Sequence, residues 1–168
     1  MKEIYIDHAK CNGCLMCMQA CSAEHSESQT IPGALAEKTA SRIFVHTANG
    51  KPTPVMCRHC EEPACVDACM SGAMQKDPET GIVTNEGTEQ DCAGCWMCIM
   101  SCPYGVINQD NSGSSPKAMK CDLCKGKEPA CVSACPNNAL FIAEPTRTKK
   151  KQKKQKQPRD IVKIVEAC

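Results

Sequence analysis

The sequence predicts a small α+β fold that consists of two similar modules wrapped around bound metal. Cysteine accounts for 17 of the 168 residues, whereas aromatic residues account for only 3%. A core with so few large side chains needs cross-links or metal for its stability. The cysteines form groups of two alternating types, which indicates one unit repeated twice. Short strand-like runs flank these groups, which favours an α+β fold.

The kind of cross-link follows from the expected compartment. Residues 1–8 lack a basic segment followed by an apolar run, so no secretory signal is predicted. No run of about 18 apolar residues occurs, so no membrane span is predicted. In a cytoplasmic protein, many cysteines indicate metal binding rather than disulfides. We therefore expect a cytoplasmic metal-binding protein.

Sixteen cysteines form four groups of regular spacing. The first and third groups share the spacing C-x2-C-x2-C-x3-C, whereas the middle gap widens to four residues in the second group and six in the fourth. The groups are Cys11, Cys14, Cys17 and Cys21; Cys57, Cys60, Cys65 and Cys69; Cys92, Cys95, Cys98 and Cys102; and Cys121, Cys124, Cys131 and Cys135.

The third group indicates which metal is bound. With Pro103 it forms the bacterial ferredoxin run, in which three cysteines bind one cubane cluster and the fourth binds a neighbouring cluster. Four groups of four thiolates therefore predict four [4Fe–4S] clusters. Since no iron is left without a protein ligand, we expect electron transfer rather than catalysis, and we identify no catalytic residue.

Other functions remain as alternatives. A zinc-binding interaction module needs only two separated C-x2-C pairs for each ion and leaves the additional cysteines unexplained. An enzyme with chemistry at a cluster would need an open iron. His59, between Cys57 and Cys60, is a possible ligand, but its group already has four thiols. We expect it to form a hydrogen bond or to lie at the surface.

The segments between the cysteines indicate the secondary structure. Pro63 and Pro129 each precede the last two cysteines of a group and predict the start of a helical turn. Residues 22–56 are interpreted as an inserted connection, and residues 110–115 as a surface loop. Strands are predicted at Glu3–Asp7, Ile43–Thr47, Gly81–Thr84, Tyr104–Asn108 and Ala139–Ala143.

Residues 3–143 resemble the iron–sulfur subunits of dimethyl sulfoxide reductase-type oxidoreductases, a family that also serves formate dehydrogenases, hydrogenases and carbon monoxide dehydrogenases. Residues 57–63, 71–81 and 95–105 are most similar to the carbon monoxide dehydrogenase electron-transfer subunit. The resemblance implies two ferredoxin-like dicluster modules. Their electrons would pass from carbon monoxide dehydrogenase to a flavoprotein NAD(P)H oxidoreductase or a hydrogenase. A formate dehydrogenase or hydrogenase complex is the alternative setting.

The resemblance also implies how the groups share ligands. Duplication alone would let the first group pair with the second and the third with the fourth, whereas the family pairs the first with the fourth and the second with the third. The implied ligand sets are Cys11, Cys14, Cys17 and Cys135; Cys121, Cys124, Cys131 and Cys21; Cys57, Cys60, Cys65 and Cys102; and Cys92, Cys95, Cys98 and Cys69.

Charge divides the chain into two parts. Residues 1–146 carry 11 Lys and Arg against 17 Asp and Glu, whereas residues 147–168 carry 9 against 2. We therefore predict a four-cluster domain over 1–146 and a basic tail over 147–168. The tail is either a solvated extension or an arm that docks on an acidic partner. Nucleic acid is not an expected partner, because no aromatic residues interleave with the charges.

Overall fold

Over the part of the chain that the structure describes, the fold consists of short helices and four two-stranded sheets. The computed structural model describes residues 3–111, 113 and 115–143. The strands are β1 (Glu3–Ile6), β2 (Ile43–Ala48), β3 (Lys51–Met56), β4 (Gln75–Lys76), β5 (Val83–Thr84), β6 (Asn108–Asp110), β7 (Lys117–Met119) and β8 (Leu140–Ala143). The helices are α1 (Met16–Glu24), α2 (Ile31–Ala36), α3 (Ala64–Asp67), α4 (Met97–Ser101) and α5 (Ala130–Ser133), and a 3-10 turn spans Leu123–Gly126.

One sheet joins the two ends of the described chain. β1 and β8 pair antiparallel, from Glu3 opposite Ala143 to Ile6 opposite Leu140. The rings of Tyr5 and Phe141 stack across this pair, with their centroids 6.0 Å apart. The strands predicted at residues 3–7 and 139–143 are confirmed, and each is one residue shorter. Their pairing brings the fourth cysteine group beside the first.

The other three sheets are hairpins, and two hydrophobic clusters fill the fold. α1 packs against α5, and Ile43, Met56 and Leu140 are buried between the first and fourth cysteine groups. α3 packs against α4, and Met74, Val83 and Ile107 are buried beside the second and third groups. The fold thus has an outer half made by the chain ends and an inner half made by its middle.

Several elements differ from the sequence predictions. Residues 104–107 form no strand; Val106 and Ile107 are apolar because they are buried in the inner half. The strand predicted at 81–84 is reduced to Val83–Thr84. Residues 22–56 are not a plain connection, because they contain α2 and the β2–β3 hairpin.

The helical turns predicted at Pro63 and Pro129 exist. Each begins one residue later, and the proline stands before the first helical residue. Within the described residues, no helix is long and apolar enough to cross a membrane. The basic tail at 147–168 and Cys168 lie outside the described residues, and the cytoplasmic location stays a prediction.

Candidate metal centres

The loops of the first and third cysteine groups have the same unusual backbone. Gly13 and Gly94 have φ angles of +75° and +63°, and Leu15 and Trp96 have φ angles of 62° and 64°. The left-handed conformation is sterically costly for residues other than glycine, and strain of this kind is retained mainly where function needs it. The two turns curl each loop before its helix begins, α1 in one case and α4 in the other. The curl brings the first three cysteines of each group around one space.

Three such spaces, one each at the first, second and third groups, are completed by a cysteine from another group. The cavities are similar in size, with about 340, 350 and 310 Å³ of empty space when the part open to solvent is included. Set I comprises Cys11, Cys14, Cys17 and Cys135; set III comprises Cys57, Cys60, Cys65 and Cys102; and set IV comprises Cys92, Cys95, Cys98 and Cys69. Each cavity is thus lined by three cysteines of one group and the last cysteine of another.

The remaining four cysteines of the four sequence groups form set II, which comprises Cys21, Cys121, Cys124 and Cys131. Burial raises the pKa of the Cys131 thiol, and Cys121, Cys21 and Cys124 raise it further. The four thiols therefore lie within electrostatic reach of one another. Among the described residues, no three or more His, Cys, Asp or Glu side chains gather closely enough for a single metal ion.

The sets are arranged in a row. Burial raises the pKa of Cys131 in set II, and Cys17 of set I contributes to that rise. Burial also raises the pKa of Cys121 to about 12, and Cys57 of set III contributes there. Sets III and IV share the packed helices α3 and α4. These electrostatic and packing links give the order I, II, III, IV, with exposed cysteines, Cys14 and Cys95, in the first and last sets.

Backbone N–H groups point at sulfur in every set. Ala139 N–H lies 3.2 Å from Cys135 Sγ, and Met74 N–H lies 3.2 Å from Cys69 Sγ. Burial alone would raise the pKa of these two thiols, but the N–H donors outweigh it and lower both. Sets II and III receive such donors too, at 3.3 Å to Cys21, 3.5 Å to Cys121 and 3.4 Å to Cys57. Hydrogen bonds of this kind stabilise thiolates.

Cys21 lies beside a buried ionic network. His25 Nε2 donates to Asp122 Oδ1 at 3.0 Å, and Arg42 Nη1 lies 3.1 Å from Asp122 Oδ2. Burial opposes ionisation of Asp122, but the His25 hydrogen bond and the Arg42 charge lower its pKa to about 2. Burial likewise opposes protonation of His25, but Asp122 and Cys21 raise its pKa to about 10. The Asp122 carboxylate is therefore paired with two cations behind set II.

Two further polar residues are buried where sets II and III meet. Lys120 Nζ donates to the carbonyl oxygens of Val83 and, at 3.0 Å, Cys121. The Nδ1 atom of His59 accepts a hydrogen bond from Val83 N–H at 2.9 Å. Burial, together with the charge of Lys120, lowers the pKa of His59 to about 3, so the imidazole is neutral. The surface role considered for His59 is wrong, and the hydrogen-bonding role is confirmed.

The donor sets fit a polynuclear iron–sulfur group. Burial, together with the charge of neighbouring thiols, raises the pKa of Cys17 and of Cys65 to about 11 each. Several thiolates at one site therefore need a compensating positive charge, which bound metal supplies. Four cysteines around a cavity of this kind are the donor set used by [4Fe–4S] clusters.

Sequence reasoning did not identify four residues that support the sites: His25, Arg42, Lys120 and Asp122. Lys120 and Asp122 flank Cys121 in sequence, and this position beside a cysteine could have identified them. His25 and Arg42 carried no comparable signal, because the fold brings them to Asp122 from a helix end and from the start of β2.

Comparison with known proteins agrees with this chemistry. A family model described as a 4Fe–4S dicluster domain matches residues 48–168. The chain is 37% identical over 139 residues to the "Putative electron transport protein YsaA" of Escherichia coli K12, an alignment that covers 82% of this chain and 86% of that protein.

Two further relatives have informative names. "Electron transport protein HydN" of Escherichia coli K12 is 35% identical over 156 residues, with 84% of this chain and 87% of that protein covered. The "NADH-dependent phenylglyoxylate dehydrogenase subunit beta" of Aromatoleum evansii is 36% identical over 141 residues. There the alignment covers 82% of this chain and 29% of the relative.

Proposed function

The chain belongs to the 4Fe–4S dicluster family of electron transport proteins, and on that premise we propose that it is an electron-transfer subunit with four [4Fe–4S] clusters. Sets I to IV are the proposed ligands, one cluster to each set. The observation that carries the proposal is the row of four separate thiol sets, three of which line cavities of similar size. A row of this kind suits the movement of electrons from one end of a protein to the other.

Each [4Fe–4S] cluster, when bound, accepts or releases one electron with little change in shape. The protein contributes the surroundings. Backbone N–H donors at Cys21, Cys69 and Cys135 stabilise negative charge on sulfur. Buried Cys17 and Cys131 keep water from the interior of the row. Lys120 adds a buried cation between sets II and III. Hydrogen bonds, charge and burial are the means by which a protein adjusts cluster potentials.

The proposed electron donor is carbon monoxide dehydrogenase, and the proposed acceptor is a flavoprotein NAD(P)H oxidoreductase or a hydrogenase. The resemblance of residues 57–63, 71–81 and 95–105 supports this choice. A relative named as a subunit of an NADH-dependent dehydrogenase supports the broader proposal of a subunit in a redox complex. A formate dehydrogenase or hydrogenase complex is the alternative, and a molybdenum enzyme that copurifies in place of a nickel enzyme would favour it.

Metal analysis of protein purified without oxygen tests the cluster content. We expect about sixteen iron atoms per chain with matching acid-labile sulfide. About four zinc atoms per chain and no sulfide would instead identify a zinc-binding module. The variant Cys168→Ser is the control, because Cys168 belongs to none of the four sets, and its iron content should be unchanged.

Two double variants test the ligand sets. C11A/C135A removes two ligands of set I, so we expect about twelve iron atoms to remain. C11A/C21A removes ligands from one sequence group but from two sets, so we expect about eight. If each group bound its own cluster, the two results would be reversed. EPR spin counts on the reduced protein should follow the iron content.

A further inference from the structure

The two halves of the fold present equivalent pairs of helices at their surfaces. α1 and α4 each follow a left-handed residue, and α5 and α3 each follow a proline. α1 packs against α5 in the outer half, and α3 packs against α4 in the inner half. Because the local backbones are similar, the exposed side chains of the two pairs can be compared position by position.

The exposed side chains do differ. Met70 and Met100 of the inner pair are 82% and 83% exposed. Met97 is 43% exposed, close to the 38% of its outer counterpart Met16. The corresponding positions of the outer pair hold Pro136 and Gln19 in place of Met70 and Met100. We call Met70, Met97 and Met100 the methionine face. Met97 and Met100 lie three residues apart on α4, and Met70 follows α3, which packs against α4. Exposed apolar side chains on adjoining elements mark interaction sites, and flexible methionines suit surfaces that adapt to a partner.

The methionine face lies at one end of the row. Met70 directly follows Cys69, and Met97 directly precedes Cys98; both cysteines belong to set IV. In the same set, Cys95 is exposed. A protein seated on this face would be close to the last set of the row, where an electron enters or leaves.

The charge of the segment that carries the methionine face selects a kind of partner. Residues 57–104 carry eight exposed Asp and Glu, of which Glu86 is paired with Arg42 and Lys125, against two basic residues. Both basic residues are engaged, because Lys76 Nζ donates to two backbone carbonyls and Arg58 stacks over the Tyr104 ring at 5.3 Å. Residues 3–56 carry five acidic and four basic residues, so this excess is confined to one half. Asp67, on α3, is exposed three residues before Met70.

We propose that the methionine face is the docking surface for a redox partner protein whose contact surface has an apolar centre surrounded by lysine and arginine. The proposal rests on the proposed electron-transfer function and adds the end of the row at which this partner binds. The excess of acid repels nucleic acid and anionic lipid surfaces and attracts a basic protein. The apolar side chains then supply binding energy once the two surfaces meet.

Electron transfer to mitochondrial cytochrome c tests the proposal, because this basic protein has an apolar haem edge and serves as the probe. The dithionite-reduced protein is mixed with cytochrome c, or with uncharged benzoquinone, in a stopped-flow instrument. M70Q/M100Q should lower the second-order rate constant with cytochrome c at least about tenfold. The rate with benzoquinone should change less than about twofold, since a small oxidant needs no docking surface.

Leu35→Gln is the matched control. Leu35 is 74% exposed on α2, outside the cysteine loops, and its replacement should leave both rates unchanged. All three replaced side chains are exposed, so iron content should match the parent protein. The parent rate with cytochrome c should also fall as salt is added, because exposed charges are screened.

Three results would overturn the proposal. The first is an M70Q/M100Q rate with cytochrome c equal to the parent rate or to that of L35Q. The second is a faster rate, which would mean that another part of this chain or a second copy covers the face. The third is a parent protein that reduces neither oxidant, which would overturn the proposed function as well. The benzoquinone rate separates the two cases, because it is lost only if electron transfer itself fails.

Discussion

The buried network around Asp122 should contribute strongly to the stability of the outer half. The side chain of Asp122 is 6% exposed and faces two cations, Arg42 Nη1 at 3.1 Å and His25 Nε2 at 3.0 Å. Its Oδ1 also accepts a hydrogen bond from Cys124 N–H at 3.1 Å. The change Asp122→Asn keeps the shape and this acceptor but removes the charge. It therefore tests the ion pairs without removing the backbone hydrogen bond.

The expected magnitude follows from burial. Removal of one partner from a buried ion pair leaves an uncompensated charge and costs about 3–5 kcal/mol. Arg42 also pairs with Glu86 at 2.7 Å, but Glu86 is 43% exposed, so that pair contributes about 0–1 kcal/mol. Glu86→Gln is thus the matched control. With a slope of roughly 4 kcal/mol per molar, the unfolding midpoint in guanidinium should fall by about 1 M for D122N.

Far-UV circular dichroism during guanidinium unfolding without oxygen measures both midpoints. Proteins with bound clusters need not unfold in two states, so the comparison is between midpoints under identical conditions. We expect the midpoint of E86Q to fall by less than about 0.3 M. If D122N and E86Q moved the midpoint equally, the argument that burial makes the Asp122 pairs important would be refuted.

Two other predictions concern the clusters themselves. Gly94→Ala brings a Cβ within 2.7 Å of the Pro116 carbonyl oxygen, so metal analysis should find about four fewer iron atoms per chain. Gly105→Ala is the control, because Gly105 has a similar φ angle but open space around it, and this variant should keep its iron. Equal losses would mean that strain, not the clash, decides. Lys120→Gln removes a buried cation, so an EPR redox titration should show lower midpoint potentials for the clusters proposed at sets II and III. Lys125→Gln is the control, because the Lys125 side chain is 72% exposed, and it should leave these potentials unchanged.

The chemistry of the sites was predictable because it depends on local spacing. The run from Cys92 to Pro103 identifies an iron–sulfur protein without any structure. The helical turns after Pro63 and Pro129 were predictable for the same reason, because proline fixes the backbone locally.

Elements that depend on distant packing were missed or misjudged. The segment 104–107 has the apolar residues of a strand, but they fill the inner half, where no strand among the described residues pairs with them. The strand predicted at Ile43–Thr47 is confirmed as β2, but its partner β3 was missed because Pro52 and Pro54 discourage a strand. The Asn49-Gly50 pair, with φ angles of 51° and 72°, is a hairpin signal and would have revealed it.

The nested arrangement of the halves follows from one long-range contact that local spacing does not contain. β1 pairs with β8, so set I joins Cys11 to Cys135, whereas all ligands of sets III and IV lie between residues 57 and 102. The outer half therefore closes a loop of 124 residues, against at most 45 for the inner half. By loop-closure entropy this difference costs about 1 kcal/mol, and contacts of short sequence separation form faster. The inner half, which also carries the methionine face, is accordingly the half that can assemble before the chain ends meet.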